Sequence, residues 1–133
     1  MKLDITTPKK CIREDNVDFV SMEGPDGSFG VLSGHIPLLA ELKIAPLLFR
    51  KGQGTEFVAV MGGIVKVQSD VITIVTEDAE RAIEIDVLKA NKEKEDAEAY
   101  LTRKAEITDM IKAEAELRKA LVRLKVVEVS KRI

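Results

Sequence analysis

Val71-Ile72-Thr73-Ile74-Val75-Thr76 and Ile85-Asp86-Val87-Leu88-Lys89-Ala90 stand near each other in the chain yet follow different rules. The first alternates along β-branched residues, the pattern of a strand with one face in a core. The second opens with a carboxylate where a helix needs an N-cap, so Asp86 can accept the orphan N–H groups of a first turn beginning Val87-Leu88-Lys89. Working outward, the contrast holds on both sides. The eight glycines, Gly24 to Gly63, and the four prolines, Pro8 to Pro46, all precede Asp86. Nearly half of the residues after it are charged, and none is Gly or Pro.

The upstream half contains short runs that read as strands: 3–6, 17–22, 28–32, 47–51, 57–61, 64–68 and 71–76. Turn chemistry falls between them, with Gly24-Pro25-Asp26-Gly27 fitting a tight reversal, Gly52-Gln53-Gly54 a hairpin loop and Ser69-Asp70 a two-residue connection. Short strands without intervening helices predict a β-sandwich or barrel over residues 1–86. Downstream, Met110, Ala113, Leu117, Ala120, Leu124 and Val127 recur at alternating spacings of three and four, a narrow helical seam. A reversal within 101–109, with Thr108 or Asp109 restarting the helix, makes residues 87–133 an antiparallel α-helical hairpin. The seam is rich in Ala, and burying Ala contributes less than the about 1.5–3 kcal/mol of a Leu. Such a hairpin needs a docking surface.

Charge and composition narrow the function. Nine basic and 14 acidic residues precede the break and 12 and 9 follow it, so the halves carry −5 and +3. Opposite signs favour docking of one on the other, screened beyond about 8 Å at physiological salt. No stripe of cations interleaved with aromatics suggests nucleic acid. The longest stretch free of charged residues, 27–40, is too short and too broken by Gly and Pro to span a membrane. One His and one Cys, His35 and Cys11, exclude a metal site or a Cys-His pair built from several of these residues. No catalytic residue is expected. Gly27 to His35 looks superficially like a phosphate loop, but the Lys-Ser/Thr of a Walker motif is missing.

Gly27-Ser28-Phe29-Gly30-Val31-Leu32-Ser33-Gly34-His35-Ile36-Pro37 resembles the signature loop of F-type ATP synthase epsilon subunits. The resemblance continues through Leu42-Lys43-Ile44, Val60-Met61-Gly62-Gly63-Ile64-Val65-Lys66-Val67, Ala79-Glu80 and Ile85-Asp86, and covers essentially the whole chain. It implies a non-catalytic rotor subunit of the central stalk, bound to the gamma subunit and the c-ring, that couples ion-driven rotation to ATP synthesis. It also implies a peripheral position on the cytoplasmic side of the cell membrane. Ser33, His35 and Ile36 would lie on the gamma side, although His35 also reads as an ordinary turn residue. The hairpin would regulate ATP hydrolysis through Lys112, Arg118, Lys119, Arg123 and Lys125, reaching the alpha and beta subunits when extended. Some members of the family bind regulatory ATP, and Glu80, Ile85, Asp86, Lys89 and Arg123 fall on that pattern. Here Lys89 replaces an Arg, losing its planar fork, and Asp96 reverses the usual charge. Weak or absent ATP binding is the expectation, with no other cofactor. The bare residues also fit a stand-alone nucleotide sensor or an adaptor with a mobile hairpin.

Overall fold

The computed structural model describes residues 1–34, 37–103 and 106–132. Eight strands come first: β1 (Lys2–Thr6), β2 (Cys11–Glu14), β3 (Phe19–Gly24), β4 (Gly27–Leu32), β5 (Leu38–Lys51), β6 (Gly54–Gln68), β7 (Val71–Val75) and β8 (Ala79–Arg81). A short 3₁₀ turn (Ala82–Glu84) leads into α1 (Val87–Leu101) and α2 (Ile107–Ser130). The sheet order is β2-β1-β7-β6-β5-β3-β4, with β8 beside β6. All neighbours are antiparallel except β1 and β7.

Two layers form because β5 and β6 are long enough to belong to both. The later part of β6 pairs with β7, Ile64 opposite Val75, while its earlier part pairs with β8, Ala59 opposite Glu80. The runs 57–61 and 64–68, expected as separate strands, are one bent strand. Gly62 and Gly63 make the bend with φ of 77° and 120°. A Cβ at Gly63 would lie 2.0 Å from the Val75 carbonyl oxygen, so no side chain fits there. Strand β5 starts at Leu38 rather than at the expected Leu47, passing through Pro46 opposite Ala59. The β3 ladder on its other side reaches only Leu48–Arg50, so the missing N–H of Pro46 interrupts nothing there. Strands β2 and β8 are too short for a period to show in sequence, and both were missed.

Between the layers lies a core of Leu3, Ile5, Val20, Met22, Leu47, Phe49, Val58, Val60, Ile72, Ile74 and their neighbours, nearly all inaccessible. Strands normally bury alternate residues, yet Val58 to Gly62 are buried without interruption. Val58 and Val60 face the sandwich core, while Ala59 and Met61 face α2, which covers the outer surface of β6.

Asp86 caps α1 as its position suggests, accepting the Lys89 amide at 3.1 Å. Helix α2 begins at Ile107 with Glu106 as N-cap, one residue before the expected restart. It carries more apolar surface than one seam. Ala90 and Ala97 of α1 are buried with Ala120 of α2 in the hairpin, whereas Val122 and Val126 pack on the sandwich.

Candidate functional site

Where α2 crosses the sandwich, the two halves meet through an apolar spot flanked by charges. Ala59, Met61, Ile85, Val122 and Val126 form its centre, with Ile44, Phe57, Ala82 and Val127 packed around it. The chain leaving β7 supplies Glu77, Asp78 and Glu80. Asp78 is held in place because its carbonyl accepts the Met61 amide at 3.1 Å. Strand alternation puts Glu80 beside Ala59 on the helix side and turns Arg81 the other way. From α2, Lys119 pairs with Glu77, and Arg123 donates from Nε to Glu80 at 2.5 Å and reaches Asp78 from Nη2 at 3.4 Å. The side chains of Arg123 and Glu80 are only 14% and 22% exposed, so their attraction is screened less than that of a surface pair.

Proton affinities agree with this geometry. The hydrogen bond to Glu77 raises the Lys119 ammonium above its ordinary value, against the opposing effect of burial. Burial works against the charged form of Arg123, but the hydrogen bond to Glu80 and the charges of Glu80, Glu93 and Asp78 outweigh it and raise its pKa. Both cations stay charged at neutral pH.

Of the residues singled out from sequence, Glu80 and Arg123 are brought together as an ion pair, and Ile85 is buried in the apolar spot beside them. Asp86 is engaged in its cap, and Lys89 points to solvent. The five cations of the hairpin divide: Lys119 and Arg123 clasp the sandwich, while Lys112, Arg118 and Lys125 remain exposed. Asp96 lines an open groove between α1 and α2 together with Glu93, Asp109 and Glu116, with Lys112 the one cation among its described lining residues. Ser33 is exposed and donates its hydroxyl to Asp70 at 2.9 Å. His35 and Ile36 lie outside the described residues.

Sequence reasoning missed a second ionic network. Arg81 reaches Glu14 at 2.8 Å and Glu56 at 3.6 Å, Lys51 reaches Glu14 at 3.2 Å, and Lys10 reaches Glu84 at 3.1 Å. It ties β2 to β5 and β8, β8 to β6, and the 3₁₀ turn to the residue before β2. No local pattern announces pairs separated by 67 and 74 residues. Among the described residues no group of three or more His, Cys, Asp or Glu could hold a metal ion.

A sandwich carrying a helical hairpin, joined by a small apolar contact and a few ion pairs, defines a two-part interaction subunit. Residues 1–82 match the family described as ATP synthase, Delta/Epsilon chain, beta-sandwich domain, and residues 84–128 match its long alpha-helix domain. The ATP synthase epsilon chain of Syntrophobacter fumaroxidans is 43% identical over 96% of both chains. That of Nitratidesulfovibrio vulgaris is 40% identical over 95% of this chain and 94% of its own, and that of Staphylococcus aureus 41% over 96% of both. The chain belongs to the ATP synthase delta/epsilon family as an epsilon chain, a non-catalytic subunit of the central stalk.

Solved structures agree with the architecture. A chain in the Euglena gracilis mitochondrial ATP synthase, OSCP/F1/c-ring in rotational state 1, superposes with a TM-score of 0.78 at 25% identity, covering 92% of this chain and 78% of that one. One from the Tetrahymena thermophila mitochondrial ATP synthase central stalk/c-ring gives 0.59 at 16% identity over 96% of both, a likeness of fold. No described helix is long and apolar enough to cross a membrane.

Proposed function

We propose that this subunit couples ion-driven rotation to ATP synthesis through its sandwich and restrains ATP hydrolysis through its hairpin. In this reading the sandwich binds the gamma subunit and the c-ring at the cytoplasmic face of the membrane, with Ser33, His35 and Ile36 on the gamma side. The hairpin is the mobile part. The observation that carries the proposal is the contact between the halves: a separate core closes the sandwich, and α2 adds a small patch, Val122, Val126 and Val127 with Lys119 and Arg123, to its outer face. An element held this lightly can exchange one docking surface for another, in proportion to its differential affinity for the two. Released, Lys112, Arg118, Lys119, Arg123 and Lys125 would present one basic helix to acidic segments of the alpha and beta subunits.

The test compares membranes carrying the full chain with membranes carrying a chain that ends at Asp86. ATP-driven ion pumping persists and hydrolysis rises if the arm is a separable restraint. Loss of pumping, or unchanged hydrolysis, overturns that role.

Nucleotide binding by the isolated chain is weak in the same proposal. Arg123 is already committed to Glu80 and Asp78, Asp86 to its helix cap, and Asp96 to a groove of like charge that disfavours an anion. Calorimetry therefore finds no tight ATP site. A micromolar affinity abolished by Asp86→Ala would refute this.

A further inference from the structure

Asp70 makes contacts that neither the fold nor the clasp requires. It occupies the Ser69-Asp70 turn between β6 and β7, where both residues have positive φ, 51° and 63°. Its Oδ1 accepts the Ser33 hydroxyl at 2.9 Å and the Gly34 amide at 3.3 Å, joining turns 36 and 37 residues apart in the chain. The Met1 ammonium approaches its Oδ2 at 3.6 Å. Asp70 is half exposed, and Ser33 and Gly34 are exposed, so these bonds compete with water and contribute little to the global fold. Their effect is local: one carboxylate oxygen fixes a hydroxyl and an amide of a segment that ordinary exposure would leave free to move. Gly34 has φ of 81°, a conformation that L side chains rarely adopt, and its amide is pinned in that geometry.

Ser33 and Gly34 directly follow Leu32, which is 61% exposed, and β5 carries a second exposed leucine, Leu39 at 73%. A partner that buries such leucines against a segment already held in place loses less conformational freedom on binding than one that must order it. Ser33 hydrogen bonding, followed by the Gly34 amide, holds the Asp70 carboxyl below its ordinary value. The acceptor is thus ionised at neutral pH.

We propose that Asp70 is a positioning residue for partner binding: it holds the Ser33-Gly34 segment in the conformation in which the sandwich meets the gamma subunit. The inference rests on the gamma-side reading of Ser33 given above and adds a residue, on a different turn, that acts through it. Asp70 touches the segment and need not touch gamma.

The experiment measures binding of the full chain, with its hairpin, to purified gamma by surface plasmon resonance, for wild type, Asp70→Ala, Asp70→Asn, Ser33→Ala and the Ser33→Ala/Asp70→Ala double variant. Thermal melting follows in parallel. Asp70→Ala is expected to weaken binding about tenfold with only a small drop in melting temperature, the cost of Ala at a positive φ, which Asp70→Asn avoids. The double variant binds no worse than Asp70→Ala, because both changes break one link. Asp70→Asn, which retains an oxygen acceptor, recovers part of the loss. Wild-type affinity in Asp70→Ala, or losses that add in the double variant, overturns the positioning role while leaving gamma binding in place. Failure of the wild-type chain to bind gamma overturns both that reading and this inference.

Discussion

Gly63 shows how narrowly a single position can be specified. Its φ of 120° and the 2.0 Å separation between a built Cβ and the Val75 carbonyl oxygen combine backbone strain with a clash against main chain, which cannot rotate away as a side chain would. Gly63→Ala should destabilise the chain by about 3 kcal/mol or more, read from urea denaturation. A change below about 1 kcal/mol would show that the bend can relax. Glu14 supplies a pH signature at the same scale. Burial works to raise its pKa, but hydrogen bonds and charge from Arg81 and Lys51 win and hold it below its ordinary 4.5. Glu84 behaves alike: burial is outweighed by the Arg81 amide and Lys10. A depressed folded-state pKa gives stability that is present above the unfolded value and lost as pH falls through the folded one. Resistance to urea should therefore weaken progressively below pH 4.5, and Arg81→Met should flatten that slope without abolishing it, since Lys51 and the Lys10 pair remain. An unaltered slope would remove Arg81 from the cause.

At the scale of elements, the start of α1 was legible because its signals are local: the alternation in β7 that precedes it and a capping carboxylate at Asp86. The Ser69-Asp70 turn was legible for the same reason. Strand β6 was not, since Gly62-Gly63 reads as a break between strands and acts as a bend within one. The outer face of α2 was hidden differently. Val122 and Val126 lie off the Met110 to Val127 seam, and their place becomes evident only beside the five consecutive buried residues of β6, Val58 to Gly62, which require cover on both faces. Sequence named Glu80 and Arg123 but not that they meet, because pairing across 43 residues depends on how α2 crosses the sheet. The two faces of α2 should separate on mutation. Val126→Asp places a charge in the apolar spot and should release α2 from the sandwich while β-sheet circular dichroism persists. The spin-label distance between Arg118→Cys and Glu56→Cys, measured in a Cys11→Ser background, reports it. A distance unchanged from that of the labelled parent would mean that the charges alone hold the arm.

For the whole molecule, the ion pairs and the proposed restraint compete for the same two cations. While α2 lies on the sandwich, Lys119 and Arg123 are occupied by Glu77, Glu80 and Asp78. Glu77→Gln with Glu80→Gln removes the Lys119 partner on the sandwich and the closer partner of Arg123, leaves Asp78 at 3.4 Å, and keeps both cations charged. Surface pairs contribute about 0–1 kcal/mol and hydrogen bonds to charged groups about 1.5–3. Glu77 is 65% exposed and adds little, whereas the Arg123 pair with Glu80 is largely shielded. Their combined loss of about 2 kcal/mol shifts the equilibrium toward the released arm roughly thirtyfold. If the released arm is the form that restrains the catalytic head, hydrolysis in membranes carrying the double variant falls below wild type. Truncation at Asp86, which removes the same arm, raises it. Opposite signs from two changes that both deplete the docked state are the signature of an arm with two destinations. If both variants raise hydrolysis, the docked form is the one that restrains, and the direction of the switch is reversed.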